Sequence, residues 1–351
     1  MASVVQYPAI NARIRAITGK MLNDEDYKAL INFTTVQEIF NYLYNNTYYH
    51  DKLGELSGLD VHRRRLELIL KKSFLEDYLT ISRYLRSSSK EFFQHLFKKF
   101  EIEDLKMLLR TMLIEHDEDY FTDSLIYLDV NSKIDIQKLT SIESFQDLLA
   151  IFKETEYYGV LKRFADNYEQ DRNLFPIEMS LDLQYFSKLE KLGRKTGKND
   201  YKYIEELVGA QVDLLNIQWI YRIKKYYSLS STEILNYIIP FHYKVSREDF
   251  KKMSQVDEPS NILNFIPYKR YRDLFEKATT NNNDIFEKYF LSFLLNKSLK
   301  VKSLSFFSIG NIIAYLFIKE HEIRDIITIV EGVRYSLNVD KLKEYMIRDG
   351  V

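Results

Sequence analysis

Three short stretches decide the fold: Glu101-Ile102-Glu103-Asp104-Leu105, Asp213-Leu214-Leu215-Asn216-Ile217 and Glu322-Ile323-Arg324-Asp325-Ile326. Each reads acid, two residues, Asp or Asn, then Leu or Ile, and successive copies lie 112 and 109 residues apart. A second marker accompanies them: Glu38-Ile39, Asp147-Leu148 and Asn261-Ile262, each with a tyrosine (Tyr48, Tyr157, Tyr271) ten residues after the acid or amide. From Glu38 to Asp104, Asp147 to Asn216 and Asn261 to Asp325 the separations are 66, 69 and 64 residues, so two independent markers keep one register. Self-similarity at a fixed period is the signature of a repeat architecture. The period here far exceeds the 34 to about 47 residues of tetratricopeptide or HEAT units, so each unit holds several helices.

Around the markers the periodicity is helical. Leu66, Ile69, Leu70, Phe74, Tyr78, Ile81 and Leu85 recur at three- and four-residue steps, which predicts one helix over 62–86. Phe93, Leu96, Phe97, Phe100, Leu105, Leu108, Leu109 and Met112 predict a second over 91–113, with a buried face wider than a coiled-coil seam. Further helices are predicted over 203–227 and 305–334. No strand ladder is legible. Glycine and proline together number 15 in 351 residues, which disfavours turn-rich β architectures and disorder. The expectation is an all-α fold of three helical units, 1–125, 126–230 and 231–351. The second joint is marked by Ser228-Leu229-Ser230-Ser231-Thr232-Glu233, a helix end followed by a capped start.

Composition removes several functions. The absence of cysteine excludes disulfides, thiolate metal sites and cysteine nucleophiles. With 50 Lys and Arg against 51 Asp and Glu, no global field draws nucleic acid or an anionic surface. The longest uncharged run, 303–318, is too short and too polar for a bilayer span and predicts a buried helix. No signal peptide is legible at the N-terminus.

Chemistry-bearing motifs are weak. Gly193-Arg194-Lys195-Thr196-Gly197-Lys198-Asn199 has three residues between its glycines where a phosphate loop needs four, and an asparagine after the lysine. His321-Glu322 begins like a zinc-protease helix, but Asp325 stands where the second histidine belongs. The cluster Glu115-His116-Asp117-Glu118-Asp119 with Asp123 reads as a solvated acidic helix end, with an all-helical metal-dependent enzyme as the competing reading. The basic stretches His62 to Arg65, Arg222 to Tyr227 and Lys269 to Arg272 suit a partner-facing surface better than single-strand stacking. The repeated positions Glu101, Asp104, Asp213, Asn216, Glu322 and Asp325, with Tyr48, Tyr157 and Tyr271, are expected to be structural, because three copies at one register imply a requirement of the fold.

Tyr7-Pro8-Ala9-Ile10-Asn11-Ala12-Arg13-Ile14-Arg15-Ala16 with Met21-Leu22, Glu101-x-x-Asp104-Leu105-Lys106 with Arg110, Asp213-x-x-Asn216-Ile217 with Arg222, and Leu181-Asp182-Leu183-Gln184-Tyr185-Phe186 together resemble the central-stalk C/d family of V-type (A-type) rotary ATPases and ATP synthases. The vacuolar enzyme has its own member of that family, and the resemblance covers the whole chain. Asp104 and Asp325 depart from the asparagine of the family pattern, and Glu331 stands at the register of Arg110 and Arg222. The resemblance implies a funnel-shaped socket without catalytic residues, cofactor or metal, peripheral on the cytoplasmic face of the membrane. Its implied partners are the shaft subunits D and F and the membrane proteolipid ring, with membrane contact only through that ring and no nucleic acid, and its role is to link ATP turnover to proton or sodium transport. Arg13, Arg63, Arg222 and Arg272 are the candidate partner-facing residues. A helical repeat scaffold unrelated to rotary motors is the alternative.

Overall fold

A computed structural model describes residues 2–114, 125–128, 134–139, 142, 144–227, 229–280, 286–305 and 308–348; the acidic cluster at 115–123 lies outside them. The described residues form nineteen α-helices and no strand. Short helices come first: α1 (Ala2–Thr18), α2 (Asp24–Leu30), α3 (Val36–Asn46) and α4 (His50–Leu53). A long hairpin follows, α5 (Arg63–Ser82) and α6 (Ser87–Ile114). The pattern returns with α7 (Ile136–Leu139), α8 (Phe145–Ile151), α9 (Tyr158–Arg163) and α10 (Ala165–Asp171), then the hairpin of α11 (Phe175–Lys195) with α12 (Lys198–Ile204) and α13 (Ala210–Tyr226). It returns again with α14 (Ser231–Asn236), α15 (Arg247–Gln255) and α16 (Lys269–Thr279), then the hairpin α17 (Phe286–Leu304) and α18 (Ile309–Arg334), and finally α19 (Val339–Tyr345). The helix predicted over 203–227 begins five residues earlier, because a π-helical turn, Glu205–Gly209, joins α12 to α13 without a break.

The short helices start where the sequence supplies caps. Thr35 accepts from the Glu38 amide while Glu38 accepts in return from the Thr35 amide, and Ser144 with Asp147, Ser230 with Glu233 and Ser246 with Asp249 repeat this reciprocal pair. Glu38 and Asp147, two of the sequence markers, are therefore capping residues, whereas Asn261 sits in a 3-10 turn, Pro259–Phe265. The loop that resembles a phosphate cradle is the turn between α11 and α12, with Gly197 at φ +100°, a conformation that glycine adopts without strain.

The hairpins hold the core. Helix α18 is buried along most of its length, with Ile312, Ile313, Ala314, Tyr315 and Ile326 at zero exposure, and each large apolar side chain so buried contributes about 1.5–3 kcal/mol. It packs on α17, α5, α12 and α1. Contact with α12 is close: a Cβ on Gly310 would lie 2.6 Å from Cγ of Tyr203. Among the described residues no helix is long and apolar enough to cross a membrane.

Candidate functional site

The three marked stretches lie on α6, α13 and α18, and their side chains make equivalent bonds. At the second position, Asp104 accepts from the Tyr127 amide at 2.7 Å. Asn216 accepts from the Ile239 amide at 2.9 Å and donates to its carbonyl at 3.1 Å. Asp325 accepts from the Ile347 amide at 2.7 Å and the Arg348 amide at 3.2 Å. Each holds the backbone 22 or 23 residues onward, thirteen residues past the end of its long helix. Burial pushes the carboxyls of Asp104 to about 7 and of Asp325 to about 6, against the bonds from backbone amides that favour the charged form.

At the first position two of the three acids accept from a tyrosine hydroxyl. Tyr157 donates to Glu101 at 2.9 Å. Glu322 accepts from Tyr48 at 2.5 Å, Tyr49 at 2.9 Å and the Leu22 amide at 2.8 Å. Asp213 accepts from the Tyr243 and Lys244 amides at 3.2 and 2.6 Å, and burial pushes it to about 7. Tyr271 buries its hydroxyl beside this carboxylate without an aligned hydrogen bond. Tyr157 and Tyr271 follow their partner helices in the chain, but Tyr48 and Tyr49 precede theirs by more than 270 residues. The first short-helix group thus docks on the last hairpin, and the chain closes on itself.

That closure buries an ammonium that the sequence pattern does not single out. Lys319 is fully buried, donates to Tyr49 at 2.7 Å and to Tyr48, lies 3.4 Å from Glu322, and sits 4.5 and 4.2 Å from the two tyrosine ring centroids. Burial lowers its pKa while Glu322 opposes the fall. The available signal is a lysine ending the longest uncharged run, three residues before a marker acid. His321 turns Nδ1 to the Phe317 carbonyl, and burial holds its pKa at about 4, so the ring is neutral. Among the described residues no group of three His, Asp or Glu could hold a metal ion.

The other face of the same three helices lines a cleft of about 290 Å3. In the register of the markers, Lys99, Gln211 and Glu320 share one position, Glu103, Leu215 and Arg324 the next, and all six line the cleft. They meet across it. Lys99 pairs with Glu320 at 2.6 Å, and Arg324 reaches Glu320 at 3.3 Å, Glu103 at 3.7 Å and Glu287 at 2.9 Å. Burial works against the charge on Glu320, but Lys99 and Arg324 outweigh it and hold the carboxyl at about 2. Trp219, Leu291 and Arg222 complete a wall that is part apolar, part charged. The rest of the lining comes from α11, through Asp182, Tyr185 and Phe186, and from α17, through Glu287, Phe290 and Leu294.

Toward the N-termini of α6, α13 and α18 the cleft gives way to packed core. Tyr7 of α1 donates to Asp200 at 2.5 Å and lies 3.0 Å from the Ser89 hydroxyl, and Asp200 accepts from the Ile309 amide at 3.1 Å. Ser89, Asp200 and Ile309 stand in the first turns of α6, α12 and α18, so one tyrosine and one aspartate tie the three hairpin turns together.

The cleft is thus lined at one register by α6, α13 and α18, together with α11 and α17. The sequence profile of the ATP synthase (C/AC39) subunit family matches residues 10–345. The chain belongs to that family. It is 24% identical over 349 residues to the C subunit of the A-type ATP synthase of Methanocaldococcus jannaschii, covering 97% of this chain and 86% of the relative. It is 26% identical over 342 residues to that of Methanobrevibacter smithii, covering 94% and 85%. Both relatives are subunits of A-type ATP synthases.

Within this family member the candidate arginines have different surroundings. Arg63 is half-buried and ion-paired with Glu331 and Glu67. Since Glu331 stands where Arg110 and Arg222 stand on the other two helices, the departure from the family pattern coincides with an internal ion pair. Arg110 makes a bidentate pair with Glu178, both bonds at 2.7 Å. Arg222 is exposed on the cleft wall, and Arg13 and Arg272 are exposed away from it.

Proposed function

We propose that this chain is a non-catalytic rotor component, a three-unit socket that receives the foot of the central shaft, subunits D and F, and rests on the proteolipid ring. In this reading the units 1–125, 126–230 and 231–351 surround the cleft as a funnel, peripheral on the cytoplasmic face of the membrane. The chain transmits torque between ATP turnover and proton or sodium movement. The observation that carries the proposal is the cleft, lined at matching register by α6, α13 and α18 together with α11 and α17, in a body whose hairpin turns are tied by Tyr7 and Asp200. A mixed apolar and charged wall suits a partner that must be held and oriented. Closure of the chain through Glu322 and the Tyr48–Tyr49 pair supports the same role, since a ring with both ends tied resists opening under torque.

The test is a pull-down with tagged chain from gently solubilised membranes at moderate salt, followed by mass spectrometry. The proposal expects the shaft subunits and the proteolipid among the retained proteins. Their absence from a preparation whose ATPase is active would leave a helical scaffold of another assembly.

A further inference from the structure

Aligned on the markers, the contributions of the three long helices to the cleft are unequal. Where α6 carries Lys99 and Glu103 and α18 carries Glu320 and Arg324, α13 carries Gln211 and Leu215. One turn on, Met107, Trp219 and Thr328 share a register, and among the described residues only Trp219 of the three lines the cleft. The next shared position holds Arg110, Arg222 and Glu331. Arg110 is paired with Glu178 and Glu331 with Arg63, and again only the α13 residue lines the cleft. The four carboxylates of the lining are all engaged: Glu320 with Lys99, Asp182 with Lys106 at 2.5 Å, and Glu103 and Glu287 with Arg324. Arg222 is the one lining cation that, among the described residues, meets no carboxylate. With the Gln218 amide oxygen turned toward it, its guanidinium donates to that neutral acceptor at 3.0 and 3.2 Å. Leu215, Trp219, Arg222 and Tyr226 follow at steps of four, three and four residues and so share one face of α13. Tyr226 exposes 61% of its surface, and Trp, Arg and Tyr are the residue types that dominate binding energy at interfaces.

We propose that the shaft is gripped from one side: a helical segment of it lies along this stripe of α13, with a carboxylate on Arg222 and an aliphatic or aromatic side chain one turn away against Leu215 and Trp219. This rests on the reading of the cleft as the seat of the shaft. The carboxylate follows from the charges on the wall, since an arginine with only a neutral partner gains a charge-assisted, bidentate bond from an Asp or Glu and is repelled by a Lys or Arg. On α6 and α18 the lining charges satisfy one another, so those helices guide the shaft without pairing with it. The inequality has a mechanical consequence. Three equivalent walls would give the shaft three seats of equal energy and let it slip between them under torque, whereas one distinct wall fixes a single orientation.

Binding of the purified full chain to the purified shaft pair, D with F, measured by interferometry across a salt series, tests it. R222E and W219A should each weaken binding at least tenfold, and R222E should also flatten its salt dependence. M107A and T328A, at the equivalent places on α6 and α18, should leave it within twofold; helical circular dichroism confirms that each variant folds. A shaft Asp or Glu whose reversal to Lys weakens binding to the native chain and restores binding to R222E identifies the partner carboxylate. Tight binding by the native chain, with R222E and W219A no more affected than M107A and T328A, would overturn the one-sided grip and leave the socket standing. No binding by the native chain, together with no crosslink from the cleft to the shaft in the assembled complex, would overturn the socket reading and this proposal with it.

Discussion

Replacement of Asp104 by Asn gives a test with an internal control, because Asn216 already fills the equivalent place on α13 with the same backbone bond. Burial raises the Asp104 carboxyl from 3.8 to about 7 in the folded chain. The neutral form is therefore favoured by folding. Its stabilisation is fully present below pH about 4 and is lost as the pH rises through about 7. The whole gap corresponds to a ceiling of about 4 kcal/mol, at about 1.36 kcal/mol per pKa unit, of which roughly 2–3 kcal/mol falls between pH 5 and pH 8. Asn keeps an acceptor for the Tyr127 amide and has no proton to lose. Asp104→Asn should thus gain roughly 2–3 kcal/mol relative to the native chain on going from pH 5 to pH 8, and Asn216→Asp should show the opposite trend. Urea unfolding followed by helical circular dichroism at both pH values measures this. An Asp104→Asn effect of the same size at both pH values would refute the reasoning, since the charge would then carry no cost in the folded state.

Three further outcomes follow from the geometry. Lys319→Met leaves Glu322 buried without its ammonium and should cost about 3 kcal/mol or more; Lys319→Met/Glu322→Gln should recover more than half of that in the same unfolding assay, and a purely additive double variant would argue against coupling. Gly310→Ala places a methyl 2.6 Å from Cγ of Tyr203 and should destabilise by about 1–3 kcal/mol despite alanine's better helix propensity, with Tyr203→Ala relieving the penalty; a stabilising Gly310→Ala would show that α12 and α18 are not in close contact. Tyr7→Phe removes the hydroxyl shared by Asp200 and Ser89 and should cost roughly 1–3 kcal/mol, read as a lower unfolding midpoint, and an unchanged midpoint would mean that Asp200 is satisfied without it.

The long helices are legible in the sequence because their apolar positions recur at the helical period over twenty or more residues, and their observed edges differ from the expected ones by up to about five. The markers are legible as a pattern while their partners are not. A carboxylate at Glu322 gives no hint that Tyr48, far behind it in the chain, supplies the hydrogen bond, since ring closure is a property of the assembled fold. Glu38 and Asp147 are caps, a local role that the serine or threonine three residues before each could have revealed. Lys319 is hidden for the opposite reason: charge on a helix predicts exposure, and only the aromatic pair brought from the other end of the sequence buries it. Arg63 reads as surface because its partner Glu331 is 268 residues away. The cleft is a tertiary feature: the part of its lining on α6, α13 and α18 becomes visible when these are aligned on the markers, and the part on α11 and α17 only in the fold.

The seat of the shaft can be measured directly by placing a photo-crosslinking phenylalanine derivative at Trp219 in the cleft, with exposed Lys252 of α15 as the control, and irradiating the assembled, ATP-hydrolysing complex. The socket account predicts a crosslink from position 219 to a shaft protein and none from position 252. Crosslinks from 219 only to the nucleotide-binding head, or none in an intact complex, would contradict it.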